Sequence, residues 1–197
     1  MEVLTKECGR YQTNCYILSI NNKEIIIDPG ENSFSWVINN VKNPLAILNT
    51  HGHFDHIYNN FELKNKFNIP IYAPKDDIFM IENDIFGIGY NPSKVDIKIS
   101  NEDLFIIGDF KIKFHHFPGH TPGCSMIEIG DYLFSGDFLF YRSIGRYDFP
   151  YSNKEDMKNS LKKCLKIQQD YILLPGHGIP STLKEEQNNI TTWINRL

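Results

Sequence analysis

Apolar positions recur along this chain with two different periods, and the switches between them lay out its elements. Ile, Leu and Tyr crowd residues 15–20 and Ile fills 25–27, while the turn-favouring pair Asn21-Asn22 separates the two runs. That pattern predicts a β-hairpin closed by the Asp28-Pro29-Gly30 break. Phe34, Val37, Ile38 and Val41 then fall at helical spacing behind a polar start at Ser33, which predicts a helix over 33–41 covering one face of the sheet. The short apolar run 45–49 predicts a buried strand. Helices are predicted over 58–67 and 75–85, over 152–167 with Ser152 as N-cap and Glu155 as its capping-box partner, and over 184–197. Residues 87–100 carry Gly and Pro without a period and predict a loop with a short strand near Ile97. Strands at 104–107 and 110–117, a hairpin of 126–129 with 132–135 across Gly130-Asp131, and a buried strand at 172–174 complete the pattern. Each amphipathic helix needs a sheet face to bury against, so the expected architecture is an α/β sandwich with sheets inside and helices outside.

A chain of 197 residues with 41% hydrophobic content can form one well-buried domain, and nothing divides it, so a single domain over 1–197 is expected. The net charge of -4, with both signs mixed throughout, shows no basic footprint for nucleic acid. The longest apolar stretches, such as Ile25-Ile26-Ile27, fall far short of the ~20 residues that span a bilayer. The first seven residues carry acids and no apolar core, unlike a secretory signal, so a cytoplasmic protein without membrane contact is expected. Cys8, Cys15, Cys124 and Cys164 are widely spaced with no C-x-x-C, as suits reduced, packed thiols.

The chemistry concentrates in His51-Gly52-His53-Phe54-Asp55-His56, three imidazoles and a carboxylate directly after an apolar strand. Imidazole and carboxylate together are ligands for borderline-hard divalent ions. His120 in Pro118-Gly119-His120-Thr121-Pro122-Gly123, Asp137 in Ser135-Gly136-Asp137, and His177 in Pro175-Gly176-His177-Gly178 each follow a strand end and stand among glycines, which let backbone approach an ion closely. In this order the motifs resemble those of the metallo-β-lactamase fold superfamily, H-x-H-x-D-H, then His, then Asp, then His. The likeness runs from the Asp28-Pro29-Gly30 element to Gly176-His177-Gly178. It implies an αββα sandwich of two mixed β-sheets flanked by helices. It also implies that His51, His53 and His120 hold one metal, that Asp55, His56 and His177 hold a second, and that Asp137 bridges them. Two divalent ions, zinc first among them with Fe²⁺ or Mn²⁺ also acceptable, would share a hydroxide that serves as nucleophile. Asp55 is then a catalytic residue as well as a ligand, and no Ser or Cys nucleophile is required.

Within the superfamily, Gly136-Asp137-Phe138-Leu139-Phe140, the run Ser-Ile-Gly-Arg-Tyr-Asp-Phe-Pro at 143–150, Gly119-His120-Thr121-Pro122-Gly123-Cys124-Ser125 and Pro175-Gly176-His177-Gly178 are similar to the glyoxalase II branch, in particular its short bacterial members. The resemblance implies a hydroxyacylglutathione hydrolase-like thioesterase whose partner is a small acyl thioester such as S-lactoylglutathione, working as a monomer or small homo-oligomer. Arg146 falls where that branch places a basic residue against glutathione, although it can equally pair with Asp148; Tyr141 is a second substrate-side candidate. Only residues 178–197 follow the last ligand, so the appended helical domain of full-length glyoxalase II enzymes is not expected here, and another acyl thioester or ester can be the substrate. Two rivals remain at this level: a persulfide dioxygenase-like enzyme with one iron on His51, His120 and Asp137, and a non-catalytic metal-binding module. Asp28 is either a carboxylate that orients a ligand or a simple turn residue. His115 and His116, adjacent on a strand, must point to opposite faces.

Overall fold

The computed structural model describes residues 1–100 and 102–197. Its first sheet runs in chain order through β1 (Glu2–Cys8), β2 (Thr13–Ile20), β3 (Lys23–Ile27), β4 (Pro44–Leu48), β5 (Ile71–Pro74) and β6 (Ile97–Ile99). β1, β2 and β3 pair antiparallel, and the strands from β3 to β6 pair parallel, as crossovers through helices require. A second sheet is formed by β7 (Leu104–Ile107), β8 (Phe110–His116), β9 (Ser125–Ile129) and β10 (Tyr132–Gly136), continued by β13 (Ile172–Pro175) and β14 (Ser181–Thr182). Only β10 and β13 pair parallel within it. A small hairpin of β11 (Leu139–Phe140) and β12 (Ser143–Ile144) stands beside the second sheet. The helices are α1 (Phe34–Asn40), α2 (Phe54–Ile57), α3 (Asn60–Phe67), α4 (Ile78–Ile81), α5 (Lys154–Cys164) and α6 (Leu183–Arg196).

Because strand side chains alternate, each sheet presents two apolar faces. Leu18, Ile25, Ile27 and Leu48 meet Phe110, Ile112, Phe114, Ile127 and Phe134 between the sheets. On the outer face of the first sheet, Ile17, Ile26, Ile47 and Ile71 pack against Val37 of α1 and Leu63 of α3. On the outer face of the second, Met126, Leu133 and Leu173 pack against Met157 and Leu161 of α5 and Ile190 of α6. The result is a four-layer α/β sandwich of two mixed sheets flanked by helices, as the hydrophobic pattern and the motif likeness both led one to expect.

The element boundaries carry the differences. The helix expected over 75–85 is a 3₁₀ turn, Lys75–Asp77, followed by the four residues of α4. It stops because the Asp84 carboxylate accepts from the amides of Ile88 (2.9 Å) and Gly89 (2.6 Å), folding the chain into a turn instead. The stretch 58–67 begins as helix only at Asn60, because Asn59 is engaged elsewhere. Its side-chain oxygen accepts from the amides of Ser33 (3.1 Å) and Phe34 (3.2 Å), capping α1 from a distance. The cap of α5 is Asn153, accepting from Asp156 N at 3.0 Å, and not Ser152. Ser152 Oγ donates to the carbonyl of His120 (2.6 Å), so this hydroxyl supports a ligand loop. β1, a largely polar edge strand, carries no apolar run that would have announced it.

Candidate metal centre

Four loops leave the C-terminal ends of β4, β8, β10 and β13, and they carry His51 to His56, His120, Asp137 and His177 to one place. Backbone bonds lock the loops together. Asn14 N at the start of β2 donates to Gly176 O (2.7 Å), and Gly176 N donates to Gly136 O (2.9 Å). Gly176 must be glycine because a Cβ there would overlap Asp137 Oδ1 and come within 2.7 Å of His56 Cε1.

Two triads result. One ligand atom from each of His51, His53 and His120 lies within 4.8 Å of the others, and the same holds for Asp55, His56 and His177. Asp137 stands between them. Its Oδ2 is 3.3 Å from His120 Nε2 and 3.4 Å from His177 Nε2, and its Oδ1 is 3.2 Å from His56 Nε2. Asp55 Oδ2 lies 3.4 Å from His177 Nε2 and 3.5 Å from His56 Nε2. Every one of the seven side chains expected to be a ligand is in the cluster. His51 Nε2, His56 Nε2 and Asp137 Oδ1 are buried, and although the last two face each other at 3.2 Å none of the three makes a well-aligned hydrogen bond. Burying such atoms unpaired costs several kcal/mol unless something bonds them. A divalent cation supplies that bond, so the donor set fits one ion per triad with Asp137 shared.

The imidazoles are oriented from behind. His56 Nδ1 faces Asp28 Oδ2 (3.0 Å), His120 Nδ1 faces the Arg146 carbonyl (2.8 Å), and His177 Nδ1 faces the Tyr11 carbonyl (2.9 Å). An acceptor at Nδ1 keeps the proton there and turns the Nε2 lone pair inward. Asp28 is itself held by Thr50, whose amide (2.8 Å) and hydroxyl (2.6 Å) both donate to it. These bonds keep it at φ 48°, a left-handed conformation that a non-glycine residue rarely adopts. Of the two readings the sequence left open for Asp28, the structure shows the orienting carboxylate. Thr13 Oγ1 donates to Asp55 Oδ2 at 2.7 Å.

The neighbouring carboxylates act in a second way, favouring on His56 and His177 an Nε2 proton that a cation bound there would displace. Burial, reinforced by neighbouring imidazoles, lowers His51 and brings His53 down to about 3, so both are neutral ligands. Burial works against protonation of His177, but Asp137 and Asp55 more than offset it and push that imidazole up to about 10. His56 is raised in the same way against burial by Asp137 and Asp55. Burial would raise Asp55, yet His56, His177 and Thr13 hold it down at about 2.

One residue of this frame had no sequence signal. Asp77 is fully buried; its Oδ2 accepts from Gly52 N (2.9 Å) and Thr121 Oγ1 (2.6 Å), and its Oδ1 from Gly123 N (2.6 Å). It thereby ties the His51–His53 loop to the His120 loop. In the sequence, Asp76-Asp77 reads only as a pair of acids opening a helix.

The substrate-side candidates lie elsewhere. A cavity of about 440 Å³ opens over the cluster, with His53, Asp55, His120, Asp137 and His177 at its floor and Tyr11, Phe54, Phe86, Phe149 and Pro150 as its walls. The Arg146 guanidinium is paired with Asp148 through two 2.8 Å bonds, and it lines a different cavity of about 330 Å³ with Trp193 and Arg196. The Tyr141 ring lies under the Arg142 guanidinium at 5.0 Å and is not part of the wall. His115 is held between Glu102 (3.0 Å) and Glu128 (2.6 Å), and His116 Nε2 bonds the Pro122 carbonyl (2.9 Å), so neither joins the cluster.

Comparison with known proteins agrees with this geometry. A family model described as the metallo-beta-lactamase superfamily matches residues 8–177. An uncharacterized protein of Aquifex aeolicus (strain VF5) is 35% identical, over 91% of this chain and 90% of its own length. Hydroxyacylglutathione hydrolase GloC of Haemophilus influenzae is 31% identical over 91% of this chain and 92% of its own. Among solved structures, BLEG-1, a B3 metallo-beta-lactamase, superposes with a TM-score of 0.86 at 30% identity, covering 95% of this chain and 97% of that one. TTHA1623 in a di-iron-bound form superposes with a TM-score of 0.80 at 29% identity, covering 93% and 96%.

Proposed function

The chain belongs to the metallo-beta-lactamase superfamily, and from that premise we propose that it is a dinuclear metal-dependent hydrolase of acyl thioesters, the bond class to which S-lactoylglutathione belongs. The observation that carries the reading is the pair of triads meeting at Asp137, with buried atoms on His51, His56 and Asp137 that make no well-aligned hydrogen bond in the protein. His51, His53 and His120 would hold one ion, Asp55, His56 and His177 the other, and Asp137 both. Divalent ions held there supply Lewis acidity toward a carbonyl and lower the pKa of water toward neutrality. Zinc suits the imidazole-rich set, and iron or manganese suits it as well.

The protein's own groups do the positioning. Asp28, the Arg146 carbonyl and the Tyr11 carbonyl engage Nδ1 of three imidazoles and fix their ring orientation. Asp55, ionised across the neutral range, stands at the floor where it can accept a hydrogen bond from an attacking water. Among the described residues lining the cavity there is no Ser, Thr, Cys or Lys, so the usual acyl-enzyme nucleophiles are missing from the wall. A thiol, with a pKa near 8.5, leaves as the thiolate without help from an acid, which suits a floor built of carboxylates and metal-facing imidazoles. The relative described as a hydroxyacylglutathione hydrolase supports the same choice of bond.

The test is thiol release from S-lactoylglutathione and a panel of simpler acyl thioesters by the metal-replete protein. Multiple-turnover release, abolished by a chelator and by His53→Ala, is expected. A protein holding two metals per chain that cleaves none of these thioesters would overturn the proposal. Oxygen uptake with a persulfide by a one-iron protein would replace it with the dioxygenase reading.

A further inference from the structure

The walls of the cavity differ in character from its floor. Phe149 sets its ring centroid 6.0 Å from that of His53 and 6.0 Å from that of His120. Phe86 stands 6.1 Å from His53 and 6.3 Å from Phe54, and Tyr11 closes the opposite side against Phe54 at 5.2 Å. Tyr11 and Phe149 are 46% and 38% exposed, so these rings are not core. They hold apolar carbon against water directly in front of the ligands, an arrangement that is costly until something apolar covers it.

Two cations stack on wall rings without lining the cavity. Arg146 stacks on Phe149 at 4.2 Å with its fork taken by Asp148, and Arg10 stacks on Tyr11 at 4.9 Å. Apart from the ligands, the Tyr11 phenol is the one polar side-chain group among the described residues that line the cavity. The inner wall therefore offers little to hydrogen-bond the hydroxyl of a lactoyl group. Its 440 Å³ is nonetheless in the range of small-molecule pockets, about 300–1,000 Å³.

We propose that the aromatic wall selects the acyl group, that the preferred substrates carry an apolar aliphatic or aromatic acyl chain in place of a short hydroxyacyl one, and that Phe86 and Phe149 are the specificity-determining residues. The inference rests on the thioester reading above. The acyl end is assigned to the wall because thiol carriers are polar or charged and belong at the open, solvent-facing side. Each methylene buried against the rings is worth about fourfold in binding, so a hexanoyl chain is favoured over acetyl by at least about tenfold even if it is only partly covered.

The test compares kcat/KM of the metal-replete enzyme on the S-hexanoyl, S-acetyl and S-lactoyl thioesters of N-acetylcysteamine, whose uncharged leaving group is common to all three. A hexanoyl preference of at least about tenfold over both others is expected. The F86A/F149A double variant should shrink the hexanoyl-to-acetyl ratio to within about threefold, and F86L/F149L should keep it, since leucine retains apolar surface. The ratio is read within one preparation and so does not depend on how much of a variant is folded. Hydrolysis with lactoyl equal to or faster than hexanoyl, or a ratio unchanged in the double alanine variant, would overturn the inference while leaving thioester hydrolysis standing. Failure to hydrolyse any of the three would overturn the inference, and failure on S-lactoylglutathione as well would overturn the thioester reading.

Discussion

At the scale of single residues, the protein maintains polar atoms where a protein without a ligand would not. Asp137 stands between the two triads, and on the proposed shared role Asp137→Ala is expected to bring bound metal from two ions per chain to one or fewer and to lower thioester turnover by at least about a hundredfold, read by elemental analysis beside thiol release. Asp28 acts one bond further out: Asp28→Ala should weaken metal binding by about 10–100-fold in a chelator competition while the ligands themselves are unchanged. Asp77 gives a pH signature. Burial pushes its carboxyl up to about 6 against the pull of Thr121, Gly123 and Gly52, whereas in the unfolded chain it titrates near 3.8. Folding then takes up a proton between these values, so the stability this carboxyl contributes is complete below about 4 and is lost as pH rises through about 6. In denaturant titrations of metal-free protein, the wild type should lose stability relative to Asp77→Asn over that interval; a constant difference would contradict the assignment. The seven clustered residues were plain in the sequence because their motifs stand in the order that resembles the superfamily's. Asp77, Thr13 and Thr50 were not, because a carboxylate or hydroxyl that bonds backbone at long range leaves no local pattern.

At the scale of elements, the site depends on strands that stop where their loops can meet. Gly176 ends β13 against Asp137, and Gly176→Ala is expected to abolish binding of both ions through the clash with Asp137 Oδ1 and His56, with a folded chain verified by far-UV circular dichroism. The central strands and long helices followed from hydrophobic period, including the hairpin across Gly130-Asp131 and the closing helix α6, whereas the polar edge strand β1, the short β5 and the two-residue strands β11, β12 and β14 did not. Helix ends did not. Ser152 and Asn153 are both good caps, and their division of labour, Ser152 to the His120 carbonyl and Asn153 to α5, is set by a loop 32 residues away. Asn153→Ala should cost about 1 kcal/mol in chemical denaturation.

At the scale of the whole molecule, two sheets packed face to face form a rigid base from which four loops project at one edge, and among the described residues no helix is long and apolar enough to cross a membrane. The layered arrangement was readable because helix and strand periods alternate and each apolar face needs a partner. The aromatic wall was not, since Tyr11, Phe86 and Phe149 are far apart in sequence and are brought together only by the folding of three separate loops. The central claim, that this edge holds two ions around one carboxylate, is tested most directly by an anomalous difference map from crystals of the metal-loaded protein. Two peaks are expected, one among His51, His53 and His120, the other among Asp55, His56 and His177, with Asp137 between them. A single peak, or none within bonding distance of these side chains, would contradict it.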